Sequence, residues 1–99
     1  DPATLDQHGA VSEPVSRQMA QGIRAAAGTT FGLATTGIAG PDGGTDAKPV
    51  GTVHIALSTP EHTVHRQLRL GGSRQRIQSL ATSGCIDLLR RHLQGHLAP

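Results

Sequence analysis

Between Thr36 and Gly51 the chain places five glycines and two prolines in sixteen positions. A stretch so dense in residues that break both helix and strand does not form regular structure. It divides the chain into two halves, and any fold must be assembled from the elements on either side of it. Before the stretch, Ser12 is suited to cap a helix, with Glu13 and Pro14 in the first turn, where an acidic side chain favours the helix dipole and a proline lacks only an N–H that has no partner there. Val15, Met19, Ile23 and Ala26 recur at helical spacing and Gly28 is a natural stop, which predicts a helix over 12–27 with one apolar stripe in the core. Residues 31–35 read as a short buried strand. The eleven residues before Ser12, polar and containing Pro2 and Gly9, read as an irregular lead-in.

After the stretch, Val53, Ile55 and Leu57 alternate with Thr52, His54 and Ala56, the period of a half-buried strand. A turn at Ser58-Thr59-Pro60-Glu61 leads to a second alternating run through Val64, Leu68 and Leu70, giving an antiparallel hairpin. Gly71 and Gly72 then break the chain and Ser73 caps a final helix. Ile77, Leu80, Ala81, Gly84 and Leu88 share one face of it, while Ile86, Leu89 and Leu93 widen the apolar arc, so the helix is expected to be covered on more than one side. The order helix, strand, β-hairpin, helix predicts an α/β layered domain in which two helices pack on a small sheet, with three strands the fewest that make such a sheet stable.

Ninety-nine residues supply one domain, spanning 1–99, and Phe31 is its only aromatic residue. Aliphatic side chains and alanine must therefore build the core, and they bury less area each than aromatic rings do. A core this thin favours burial against another chain, as a homo-oligomer, or against a further segment of the same polypeptide. The formal charge of +2 is small. Arg66, Arg69, Arg74 and Arg76 are interrupted by apolar residues and have no aromatic platform beside them, so they read as a solvated face and not as a nucleic-acid groove. One cysteine, Cys85, excludes an internal disulfide and fits a reducing, cytoplasmic setting. No stretch reads as a membrane span or a signal peptide.

The glycine-rich stretch has a chemical use as well as a topological one. A strand that ends in Thr-Thr-Gly and runs into Ile38-Ala39-Gly40 can bring backbone N–H groups close to an anion, because no Cβ intervenes and positive φ is allowed. Lys48 could add a charge, and Thr35 or Thr36 a hydroxyl. Such a loop suits a phosphate, or the oxyanion of an acyl transfer.

On these residues the chain resembles the C-terminal domain of the CinA family. The carrying segments are Gln7-His8-Gly9-Ala10-Val11-Ser12-Glu13-Pro14-Val15, then Met19-Ala20-Gln21-Gly22, the loop TGIAGPDGG, and KPVGTV; Gly72-Ser73-Arg74 is similar to the family's Gly-Asp-Arg. The resemblance covers essentially the whole chain and implies hydrolysis of the carboxamide of nicotinamide mononucleotide to the nicotinate nucleotide and ammonia, with no metal and no cofactor. The family's nucleophile lies in an Ala-Glu-Ser-Cys-Thr-Gly-Gly segment and its base in a Tyr-Ser-Asn…Lys segment. Nothing in these residues matches either, so no catalytic residue is assigned here. The resemblance implies a partial unit that contributes the substrate side: Thr36, Gly37, Ile38, Ala39 and Gly40 from the loop, and Arg74 for the phosphate or ribose end of a small nucleotide substrate. Ser73 stands where the family usually has Asp, and Gln78 where a second arginine is common. The alternative is a non-catalytic interaction or self-associating module.

Six histidines raise the question of a metal. His92 and His96 stand four apart, one helical face, but no third ligand has a supporting spacing. His54 and His65 are expected to face each other across the hairpin as a surface pair, and Cys85 to be a buried, inert thiol.

Overall fold

The computed structural model describes residues 2–38, 40, 43–44 and 48–95. Its elements are α1 (Pro2–His8), α2 (Glu13–Ala27), β1 (Gly32–Gly37), β2 (Thr52–Ser58), β3 (Thr63–Arg69) and α3 (Arg74–Leu93). The expected order is found, with one element added. The lead-in forms the helix α1, which a left-handed Gly9 ends as its N–H bonds back to the Leu5 carbonyl at 2.8 Å. Its short polar side chains gave no apolar period, yet it is tied to α2, where the Gln18 amide donates to the Thr4 hydroxyl at 2.8 Å.

The caps form where the sequence places them. Ser12 accepts from the Val15 N–H and Gly28 closes α2 at φ 65°; Ser73 accepts from the Arg76 N–H at the start of α3. The three strands make one sheet of order β1-β2-β3, antiparallel throughout, with Thr35 opposite Ile55, Thr36 opposite His54, and Leu57 opposite Val64. The central strand β2 is buried along its whole length. Successive strand side chains point to opposite faces, so β2 serves two layers. Val53, Ile55 and Leu57 meet Ile77, Ala81, Cys85 and Leu88 of α3, while Ala56 meets Ala34 of β1 and Ala20 of α2. The two long helices thus cover opposite faces of the sheet.

The seating of α2 differs from the expectation. Ser16 and Ala20 are its buried residues, whereas Met19 is 43% and Ile23 56% exposed. The reason is close approach. A Cβ on Gly32 would lie 2.2 Å from the Ala20 carbonyl oxygen, so the helix backbone rests almost on β1 and only small side chains fit between. The longer apolar stripe is turned to the flank. On α3, Ile77, Ala81 and Leu88 do face the sheet, while Ile86 and Leu93 stand open at 61% and 65%. Neither of the two is covered by the described residues.

Candidate functional site

At its neck the glycine-rich stretch is closed by the backbone. The Ile38 N–H donates to the Thr52 carbonyl at 2.9 Å, and the Ile38 carbonyl accepts from Gly51 at 2.7 Å. Gly51 takes φ 94°, and a Cβ there would strike the Leu70 carbonyl oxygen at 1.9 Å. Only glycine lets β1, β2 and the end of β3 converge at this point. Gly37 is similarly confined, since a Cβ would meet a Val53 methyl at 2.8 Å.

Beside this neck, between the end of β1 and the first turns of α3, lies a cleft of about 300 Å³ lined by Thr35, Gly37, Val53, Arg74, Ile77, Gln78, Ala81 and Thr82. Of the residues expected at a site, Gly37 and Arg74 line it together. The Arg74 guanidinium donates to the Gly40 carbonyl at 3.2 Å, bringing a second loop residue to the same corner. Thr36 points the other way, its hydroxyl donating to the Ala10 carbonyl at 2.8 Å on the α2 side of the sheet. Ile38 is held by its backbone at the neck, and Ala39 lies outside the described residues.

Strand alternation decides between the two threonines. Thr35 pairs with Ile55, which faces α3, and so enters the cleft; Thr36 pairs with His54 on the opposite face. The register with β2 sets which face each takes. Gln78 and Thr82 also line the cleft, and their spacing from Arg74 (four and eight residues along one helix) is the pattern that could have singled them out. Lys48 stands on the α2 side, near the α1–α2 turn, where its ammonium would be 3.3 Å from a Cβ on Gly9.

The arrangement offers a guanidinium, two hydroxyls and an amide around an apolar floor, beside the start of a helix. Partial positive charge at a helix start and a neighbouring arginine both favour an anionic group. The other arginines of the run are engaged within the chain. Arg69 donates to the Thr52 hydroxyl, Arg66 to the His65 carbonyl and Arg76 to the Gly71 carbonyl. Cys85 is buried, and desolvation raises its thiol pKa, so the thiolate is disfavoured. Among the described residues no three His, Cys, Asp or Glu side chains are grouped to hold a metal. Helix α3 ends at Leu93, before His96, which lies outside the described residues; His92 instead packs edge-on against Phe31 and His62. No described helix is long and apolar enough to cross a membrane.

Comparison with known proteins gives a consistent result. A CinA-like protein of Shewanella halifaxensis is 54% identical over 95 residues, which are 95% of this chain and 22% of that protein. The crystal structure of competence damage-inducible protein A from Klebsiella pneumoniae superposes with a TM-score of 0.90 at 33% identity, over 95% of this chain and 58% of that one. The competence/damage inducible protein from Agrobacterium tumefaciens gives 0.87 at 36% identity, over 90% of this chain and 55% of that one. The chain thus spans about a fifth of its curated relative and little more than half of the solved chains. Residues 1–93 match the family described as the CinA C-terminal domain, and with that match and these likenesses the chain belongs to the CinA C-terminal domain family.

Proposed function

We propose that this chain supplies the substrate-side wall of an amidohydrolase site that converts nicotinamide mononucleotide to nicotinate mononucleotide and ammonia. The observation that carries the reading is the convergence of the glycine loop, through Gly37 and Gly40, with Arg74 at the start of α3 around one cleft. In the proposed reaction a serine hydroxyl from the family's nucleophile segment, relieved of its proton by a lysine amine, attacks the carboxamide carbon. The tetrahedral intermediate expels ammonia and water then releases the acid from the acyl-enzyme. This chain's part is binding. Arg74 and the start of α3 hold the phosphate, and Gln78 and Thr35 offer hydrogen bonds to the ribose.

The rest of the site packs, in this reading, against the free edge of β1 and the bare flank of α2. An unpaired edge strand is a template for a further strand, and Met19 and Ile23 are apolar surface suited to burial. The same exposed surface supports a second reading, a module that associates with its own copies without catalysis. Ammonia release from nicotinamide mononucleotide separates the two. The 99-residue chain alone should be inert, and the chain joined to the family's Ser-Cys-Thr-Gly-Gly and Tyr-Ser-Asn…Lys segments should be active. In the active form Arg74→Ala should lower kcat/KM about tenfold or more for the nucleotide, the scale of a lost charged hydrogen bond, and change little for the riboside, which lacks the phosphate. A joined protein that releases no ammonia while folding normally refutes the amidase reading.

A further inference from the structure

Beneath the first turns of α2, on the face of the sheet opposite the cleft, two histidines meet inside the protein. His54 of β2 and His65 of β3 are diagonal neighbours across the hairpin, with Nδ1 of His54 2.9 Å from Nε2 of His65 and their rings stacked 28° apart. They are not the surface pair the strand pattern suggests, for His54 is only 7% exposed. On its other side, Nδ1 of His65 lies 3.5 Å from the Glu13 carboxylate in the first turn of α2. The charged groups around the pair are Glu13 and Arg17 from α2, Arg66 and Arg69 from β3, and Lys48 from the glycine-rich stretch. Among the described residues, one anion thus stands amid four cations.

This geometry favours one placement of the hydrogens in the neutral pair. A carboxylate only accepts, so the His65 hydrogen belongs on Nδ1, leaving Nε2 a bare acceptor. Nδ1 of His54 must then be the donor across the 2.9 Å contact, and Nε2 of His54 is the one ring nitrogen of the pair with room for a first extra proton. A second proton has only Nε2 of His65 to go to. There two N–H groups would point at each other and the contact would break.

We propose that the His54–His65 pair is a proton-sensitive latch between β2 and β3 beneath the start of α2, held by the ring-to-ring contact while one facing nitrogen is bare and broken when protons from solvent fill both imidazoles. The surroundings oppose that filling. Burial lowers the pKa of both imidazoles, with His65 and Lys48 adding to the effect at His54, and the Glu13 carboxylate partly offsetting it at His65. Unfolding returns both to the ordinary value near 6.5. Below that value the unfolded chain therefore binds more protons than the folded one. The latch stabilises the fold fully above about pH 6.5, and that contribution is lost as pH falls through the lower folded values. This inference rests on the hairpin and α2 alone and is independent of the amidase reading.

Imidazole nitrogen NMR on the 99-residue chain tests it directly. At pH 7.5 both His54 and His65 should be neutral with the hydrogen on Nδ1, and on acidification the pair should take up its two protons in separate steps, both below the range of an ordinary histidine. Over the same range the folding equilibrium should fall by up to about tenfold per pH unit for each depressed imidazole. His65→Gln, which keeps an acceptor and a donor without a titration, should flatten that fall. Independent titration of both imidazoles near 6.5, or a hydrogen on Nε2 of His65 at pH 7.5, overturns the latch. So does a folded His65→Gln variant whose stability follows pH as steeply as the parent. The NMR readout stands even if the variant does not fold.

Discussion

The two faces of the sheet are built from the same strands by opposite means. Against α3 the contact is aliphatic and thick, with Val53, Ile55, Leu57 and Val64 meeting Ile77 and Leu88. Against α2 it is thin, made by Ala20, Ala34 and Ala56, with Ser16 fully buried and two histidines enclosed beside them. The first face holds by area removed from water. The second holds by closeness, since small side chains bring backbone against backbone and leave room for polar groups that hydrogen bonds must satisfy. A chain with one aromatic residue can afford a single thick layer, and the second layer is arranged to need little volume.

The faces should therefore fail in opposite ways. On the α3 side a smaller residue is the damaging change. Leu57→Ala, at a fully buried position, should cost about 2–5 kcal/mol, the usual loss for a buried leucine cut to alanine, read by denaturant unfolding. On the α2 side a larger residue is the damaging change. Gly32→Ala adds a single methyl, but at 2.2 Å from the Ala20 carbonyl oxygen the obstruction is backbone that cannot swing aside. A loss of about 1–3 kcal/mol is expected. If Gly32→Ala were neutral, the close seating of α2 would be refuted.

Capping gives a finer contrast. Ser12 is 7% exposed and makes two bonds, accepting from Val15 and donating to the Gly9 carbonyl at 2.9 Å. Ser73 is exposed and accepts from Arg76. Both should stabilise their helices, but Ser12→Ala should cost about 1–2 kcal/mol and Ser73→Ala about 0.5–1 kcal/mol, the upper and lower parts of the usual cap range. Thermal unfolding of the two variants in parallel would order them.

What the sequence disclosed follows this division. The hairpin, the caps and the α3 face were legible, because alternation and capping are local and because large aliphatic side chains announce a core. The α2 face was not. Its buried residues are serine and alanine, which carry no hydropathy signal, while the more apolar Met19 and Ile23 formed a convincing stripe on the side that stays exposed. α1 lacked a stripe altogether and is held by polar contact with α2. The cleft was half legible. The loop and Arg74 were marked by motif, but the choice between Thr35 and Thr36 depends on which face each strand position takes, and that is set by the register with β2.

The misleading stripe itself yields the smallest predicted effect and the sharpest one. Met19 makes little use of its side chain within this chain, so Met19→Gln should change the stability of the 99 residues by no more than about 0.5 kcal/mol, the range of ordinary surface substitutions. If the flank of α2 is covered by a further part of the domain, the same substitution in the longer protein removes buried apolar area and should cost about 1.5–3 kcal/mol. Unfolding of the parent and variant in both lengths measures the difference. Equal and negligible costs in both would mean that the stripe faces solvent in the whole domain too, and that the part of the site carrying the nucleophile approaches from elsewhere. A cost confined to the longer protein would identify the exposed side of α2 as an interface, held open in this chain by the close packing of alanine and serine beneath it.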